Sequence, residues 1–145
     1  LARVHPMLTS PLLALDSVLF RSRPERAVRA LASMLTAPDR LLLESHSFVR
    51  QAFAADLAEA YRQGIAGAMG EAQRIARHSA VSLRGVDVPV HVFQGANDRH
   101  VPPAMGRFMA ARLPGAVLHE RPDEGHLSIV VNCFEECVRE MLWYA

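Results

Sequence analysis

The apolar positions change period once along the chain, near residue 80. Before that point they recur at helical spacing. "SPLLALDSVLF" opens with Ser10 as an N-cap and Pro11 at the first helical position. "RPERAVRALASML" follows Pro24 with Ala27, Val28, Leu31, Met34 and Leu35 on one face. "APDRLLLES" is a shorter third piece. "SFVRQAFAADLAEAYRQG" predicts a helix with Phe48, Val49, Ala52, Phe53 and Leu57 along one side and Gly64 as its stop. "AMGEAQRIARHS" adds a helix loosened by Gly64, Gly67 and Gly70. Those glycines follow no strand and form no Gly-x-Gly-x-x-Gly, so they mark a loose helix start rather than a phosphate cradle.

From residue 85 the pattern is different. "VDVPVHVFQG" is β-branched and aromatic and ends on Gly95, which predicts a strand. "PPAMGRFMAARLPG" predicts a helix closed by Pro114 and Gly115, and "AVLHERPDEG" a second strand and its loop. "HLSIVVNCFEECVREMLWYA" leads into one terminal helix. The order strand, helix, strand, helix implies parallel strands joined by a right-handed crossover. The expected organisation is a helical region over 1–80 and an α/β region over 81–145. Two parallel strands make a poor sheet alone, because parallel sheets are covered on both faces and contain several strands. The pattern therefore calls for further strands, from a partner or from a longer protein of which this is the C-terminal part. A first residue of Leu rather than Met fits the second case.

Composition narrows the function classes. Sixteen positive residues, all Arg, oppose fifteen negative ones. That balance gives no electrostatic reason to expect nucleic acid as a partner. No apolar run reaches the length of a membrane span, and "LARVHPMLTS" lacks the apolar core and cleavage site of a signal peptide. Cys133 and Cys137 lie four apart on one face of the expected last helix, poorly placed for a bridge with each other. They are expected as small buried hydrophobes, and a cytoplasmic, reducing setting fits them. The seven histidines show no His-x-x-x-His spacing and there is no Cys-x-x-Cys, so no metal site is expected. His91 and His119 have the parity of ordinary strand residues.

Two residues carry the candidate chemistry. Asp98, in "QGANDRHVPP", lies just beyond the C-terminal end of the first strand, and His126, in "PDEGHLS", follows the second. In open α/β sheets the working residues sit on loops at that edge, and parallel strands send both loops out at the same one. A carboxylate accepting from an imidazole N–H fixes its tautomer and stabilises the cation formed when the other nitrogen takes a proton. Asp98 alone would be a turn residue and His126 alone a loop histidine; it is their pairing that favours a catalytic role. Arg99 and His100 flank the acid and are expected in solvent, with His100 the nearest rival for a supporting role. Asp123 and Glu124 are expected at the surface.

"VPVHVFQGANDRHVPP", then "LPGAVLHERPDEGH" and a terminal helix, resemble the C-terminal portion of an α/β-hydrolase-fold enzyme, over roughly residues 84 to 142. In that family a strand ends in a Gly-x-x-Asp turn followed by Val-Pro and a helix, and the next strand leads to a Gly-His pair. The resemblance implies Asp98 as triad acid, His126 as general base, and residues 1–80 as a helical cap inserted before the last two strand–helix units. It implies an esterase-like hydrolase acting on a small apolar or acyl substrate, with no cofactor. The sequence departs from the family at one point. None of the nine serines, and no aspartate, sits in a Gly-x-Ser-x-Gly type of elbow. The nucleophile, like the N-terminal part of the sheet, is expected outside these 145 residues, and this chain alone is expected to be inactive. The alternative is a non-catalytic relative or docking module.

Overall fold

The computed structural model describes residues 6–76, 82–83 and 85–143, so the expected boundary at 80/81 and the end of the "AMGEAQRIARHS" helix lie outside the described residues. The described residues are mixed and helix-rich with one two-stranded parallel sheet: α1 (Pro6–Ser22), α2 (Pro24–Ala32), α3 (Ala37–Ser45), α4 (Ser47–Ala60), α5 (Ala66–Ala76), β1 (His91–Gly95), α6 (Pro103–Ala110), β2 (Val117–Arg121), α7 (Ser128–Asn132) and α8 (Phe134–Leu142). It divides into two compact units. One takes in residues 1–34 and 43–80, the other residues 35–42 and 81–145. The segment 35–42, inside the region expected to be helical cap, clusters with the strands.

In the helical unit α1, α2 and α4 pack on one another, with Ser17, Phe20, Val28, Ala32, Leu43 and Ala54 buried. The Phe20 and Tyr61 rings stack at 5.9 Å. Burial, with a contribution from Asp16, pushes the Tyr61 phenol above its ordinary value. Two expectations are corrected here. α1 starts at Pro6 and carries Pro11 inside it, because Pro6 fills the helix-start role one turn earlier. Pro11 therefore sits inside the helix, where it makes no bond to the carbonyl four residues back and its ring crowds that carbonyl. On α4 Val49, Phe53 and Leu57 turn inward as expected, together with Arg50 and the buried Ala54, while Ala52 is exposed and Phe48 is 81% exposed. Alanines at 52, 54, 55, 58 and 60 leave the apolar face ambiguous, and Arg50 turns inward because its guanidinium donates to the Leu43 and Glu44 carbonyls at the end of α3. Gly64 closes this region with a φ of 82°, the left-handed turn that glycine adopts freely.

In the other unit β1 and β2 pair in parallel, from His91 opposite Val117 to Gly95 opposite Arg121. Alternation along the strands assigns the faces. Gln94 and Glu120 share one face with α6: Gly106 packs on the Gln94 side chain, and Arg107 forms a two-pronged pair with Glu120. His91, Phe93 and His119 share the other, their rings stacked in a row. Glu136 and Glu140 of α8 reach His119 and His91 there. A helix thus covers each face, as a parallel sheet requires. Only Gln94 and Gly95 of the ten strand residues are buried, and Val117 is 43% exposed.

The terminal segment is two helices, not the single one expected. Cys133 sits between them at φ −102°, ψ 6°, outside helical geometry, while its N–H still bonds Ile129 and its carbonyl still accepts from Cys137. The break is one residue wide, so the apolar period runs through it unbroken. Cys133 is buried at that joint and Cys137 half-buried beyond it; both are free thiols.

Candidate functional site

β1 delivers Asp98 by way of a short, heavily braced turn. The strand ends at Gly95, whose carbonyl accepts from the Asp98 N–H at 3.2 Å. The buried Gln94 amide donates to the carbonyls of Gly95 and Val101 at 2.9 and 3.0 Å, tying the two ends of the turn together. Asp98 itself is buried. Its Oδ1 accepts the N–H groups of His100 and Val101, each at 2.8 Å, the local pattern that makes aspartate a turn residue. Its other oxygen remains for a distant partner.

That partner is His126. Parallel pairing brings the loop after β2 beside the loop after β1, and two main-chain bonds, Ala96 N–H to the Arg121 carbonyl and Asn97 N–H to the Glu124 carbonyl, lace the two together, with a third donated by the Asn97 side-chain amide to the Pro122 carbonyl. The loops touch backbone to backbone. A Cβ on Gly95 would stand 2.4 Å from the Gly125 carbonyl oxygen, so residue 95 must be glycine for this approach. His126 Nδ1 then lies 2.8 Å from Asp98 Oδ2. A carboxylate oxygen only accepts, so Nδ1 carries a proton and donates it to Asp98. Nε2 meets no hydrogen-bond partner among the described residues, and 42% of the His126 side chain is exposed. The arrangement is an oriented imidazole whose Nε2 lies at an accessible edge, backed by a buried carboxyl group.

The structure thus brings together the two residues singled out in the sequence. His100, expected in solvent, is exposed as predicted, but its ring also stacks on that of His126 at 5.0 Å between centroids. Asp123 is exposed and Glu124 half-exposed, holding Asn132, so neither competes with Asp98 for the imidazole. Ser128 is fully buried, its hydroxyl accepting from the Gly125 N–H at 2.7 Å, and it is not placed as a nucleophile. A polar cleft of about 470 Å³ opens along Leu35, Thr36, Ala37, Ala96, Asn97, Asp98 and Arg99.

Sequence reasoning missed one residue. Asp39, in the first turn of α3, is 1% exposed and spends its whole carboxylate on the His126 loop. Oδ1 accepts the N–H groups of Leu127 and Ser128 at 3.0 and 2.9 Å; Oδ2 accepts that of His126 at 3.0 Å and the Thr36 hydroxyl at 3.1 Å. Burial pushes this carboxyl up, but the donors from Ser128, His126, Thr36 and Leu127 together outweigh it and hold it below its ordinary value. "TAPDR" carries only the signature of a helix start, and nothing in it points to residues 126–128.

Among the described residues no three His, Cys, Asp or Glu side chains form a group that could hold a metal ion, and no helix is long and apolar enough to cross a membrane. Comparisons with protein-family models, with curated proteins and with solved structures give no match.

Proposed function

We propose that this chain supplies the acid and the base of a nucleophile–His–Asp triad in an α/β-hydrolase-fold hydrolase, with an ester or related acyl compound of small apolar character as substrate. The observation that carries the reading is the 2.8 Å bond from His126 Nδ1 to the buried Asp98, with Nε2 left open at the sheet edge. In this mechanism Nε2 takes the proton of the attacking hydroxyl, Asp98 balances the imidazolium, Nε2 returns that proton to the departing alcohol as the acyl–enzyme bond forms, and the neutral imidazole then takes a proton from the water that hydrolyses the acyl–enzyme. The nucleophile and its oxyanion donors come from strands outside residues 1–145. Two observations support an incomplete sheet: eight of the ten strand residues are not fully buried, and the helices that cover the sheet expose Met105, Phe108, Phe134, Met141 and Leu142.

The test begins with the coding sequence upstream of Leu1. An in-frame run of alternating strands and helices with a nucleophile elbow is expected. The complete protein is then assayed on short p-nitrophenyl esters. Asp98→Asn should lower turnover by a factor on the order of 10⁴ and His126→Ala by at least as much. Undiminished hydrolysis by the His126 variant would end the assignment. The absence of an elbow among these 145 residues favours a second reading, a non-catalytic module that keeps the fold. A start codon at Leu1 with no such upstream run would decide for it.

A further inference from the structure

We infer that Asp39 is a positioning residue for His126, and that the imidazole is held by two carboxylates acting on different parts of the same residue. The inference rests on the reading of Asp98 and His126 as a working pair. Asp98 fixes the ring through Nδ1; Asp39 fixes the main chain through the His126 N–H and the two that follow it. The three N–H groups are consecutive and point at one carboxylate. Asn97 ties the earlier part of the loop through the Glu124 and Pro122 carbonyls, and the Gly125 N–H bonds the Ser128 hydroxyl within it, but among the described residues Asp39 alone takes up the N–H groups of residues 126–128. Gly125 lacks the side chain that would occupy the carboxylate's place, and Thr36 braces Oδ2 from behind.

The consequence is geometric. An Nδ1···Oδ2 bond of 2.8 Å tolerates little movement, and a displacement of about 1 Å in a supporting loop is enough to spoil such an alignment. If Asp39 is lost, three main-chain donors, that of the buried Ser128 among them, lose their acceptor, and the loop must shift toward water to satisfy them. The ring then moves with its backbone. Asparagine is the informative replacement. Its one carbonyl oxygen can still serve Leu127 and Ser128, but its NH₂ would face the His126 N–H, donor against donor. Asp39→Asn therefore frees the main chain at His126 itself while changing the volume of the site very little.

The test is made by NMR on the ¹⁵N-labelled chain, so that it does not depend on turnover. The hydrogen-bonded His126 Nδ1–H should give a low-field imidazole resonance that Asp98→Asn abolishes; its absence from the parent protein would overturn the reading of the Asp98–His126 pair, separately from the role of Asp39. In folded Asp39→Asn the resonance should broaden or vanish, and the His126 amide should exchange at least about tenfold faster. Thr36→Val keeps the carboxylate and removes only its brace; it should broaden the resonance less, and it decides the matter if the Asp39 variant does not fold. A purely structural role predicts lower stability with an unchanged resonance in the folded population. That result, in Asp39→Asn or, failing its folding, in Thr36→Val, overturns the proposal.

Discussion

The Asp39 carboxylate occupies the space that a side chain at Gly125 would take: a Cβ built there would lie 2.5 Å from Asp39 Oδ1 and 2.6 Å from both Cγ and Oδ2. The glycine before His126 is thus a steric requirement of the loop's anchor. Gly125→Ala should destabilise the protein by about 1–3 kcal/mol, as overpacking of a filled interior does, and should loosen the hold on His126. Urea denaturation measures the first effect and amide exchange at residues 126–128 the second. A variant as stable as the parent, with unchanged exchange, would show that the carboxylate can move aside freely.

Glycines 95 and 106 separate what can yield from what cannot. At Gly95 the obstacles are main-chain atoms, the carbonyls of Gly125 and Glu124 at 2.4 and 2.6 Å. At Gly106 the obstacle is the Gln94 side chain, whose Oε1 stands at 2.5 Å. A side chain can rotate and a laced backbone cannot, so Gly95→Ala should cost more stability than Gly106→Ala, by at least about 1 kcal/mol. Equal unfolding midpoints for the two variants would contradict this ranking.

The depressed Asp39 carboxyl links stability to acid. The folded state holds this group ionised more strongly than the unfolded chain does, so the associated stability is fully present above the unfolded value of about 3.9 and fades as pH falls through the lower folded value. Asp39→Asn removes the titration. The difference in urea midpoint between parent and variant should stay level from neutral pH down to about 5 and shrink below about 4. A difference that stays constant into strong acid would mean that Asp39 contributes shape alone.

The pairing of Asp98 with His126 was legible in the sequence for a topological reason. Strand, helix, strand order makes β1 and β2 parallel, and parallel strands deliver their following loops to one edge; Gly95 and Gly125 mark the close approach. Asp39 was not legible, because its partners are backbone N–H groups 87 to 89 residues away that any sequence would supply. Its own neighbourhood satisfied a simpler account, a helix start after Thr36. The inward face of α4 was partly hidden by its alanines, which fit either side of a helix, and by Arg50, whose charge is answered by the carbonyls at the end of α3. The break at Cys133 was hidden for a related reason: the bonds on either side keep helical spacing, so the pattern of apolar residues does not register it.

Cys133 and Cys137 remain reduced in the fold, and their chemistry should be sluggish. Cys133 is 7% exposed at the α7–α8 joint. Burial, then the neighbouring Cys133 and Glu136, push the Cys137 thiol above its ordinary value, with the more distant pull of Arg121 too weak to reverse them. The thiolate is the reacting species, so a raised value leaves less of it at neutral pH. Alkylation of the native protein by iodoacetamide at pH 7.5 should be slower than that of the urea-unfolded chain by at least about tenfold, and both thiols should react once unfolded. Raising the pH should speed labelling of Cys137 in the native state over a range beyond that of an exposed thiol. Rapid labelling of native Cys137 at neutral pH would mean that the helix carrying it does not stay packed against the strands.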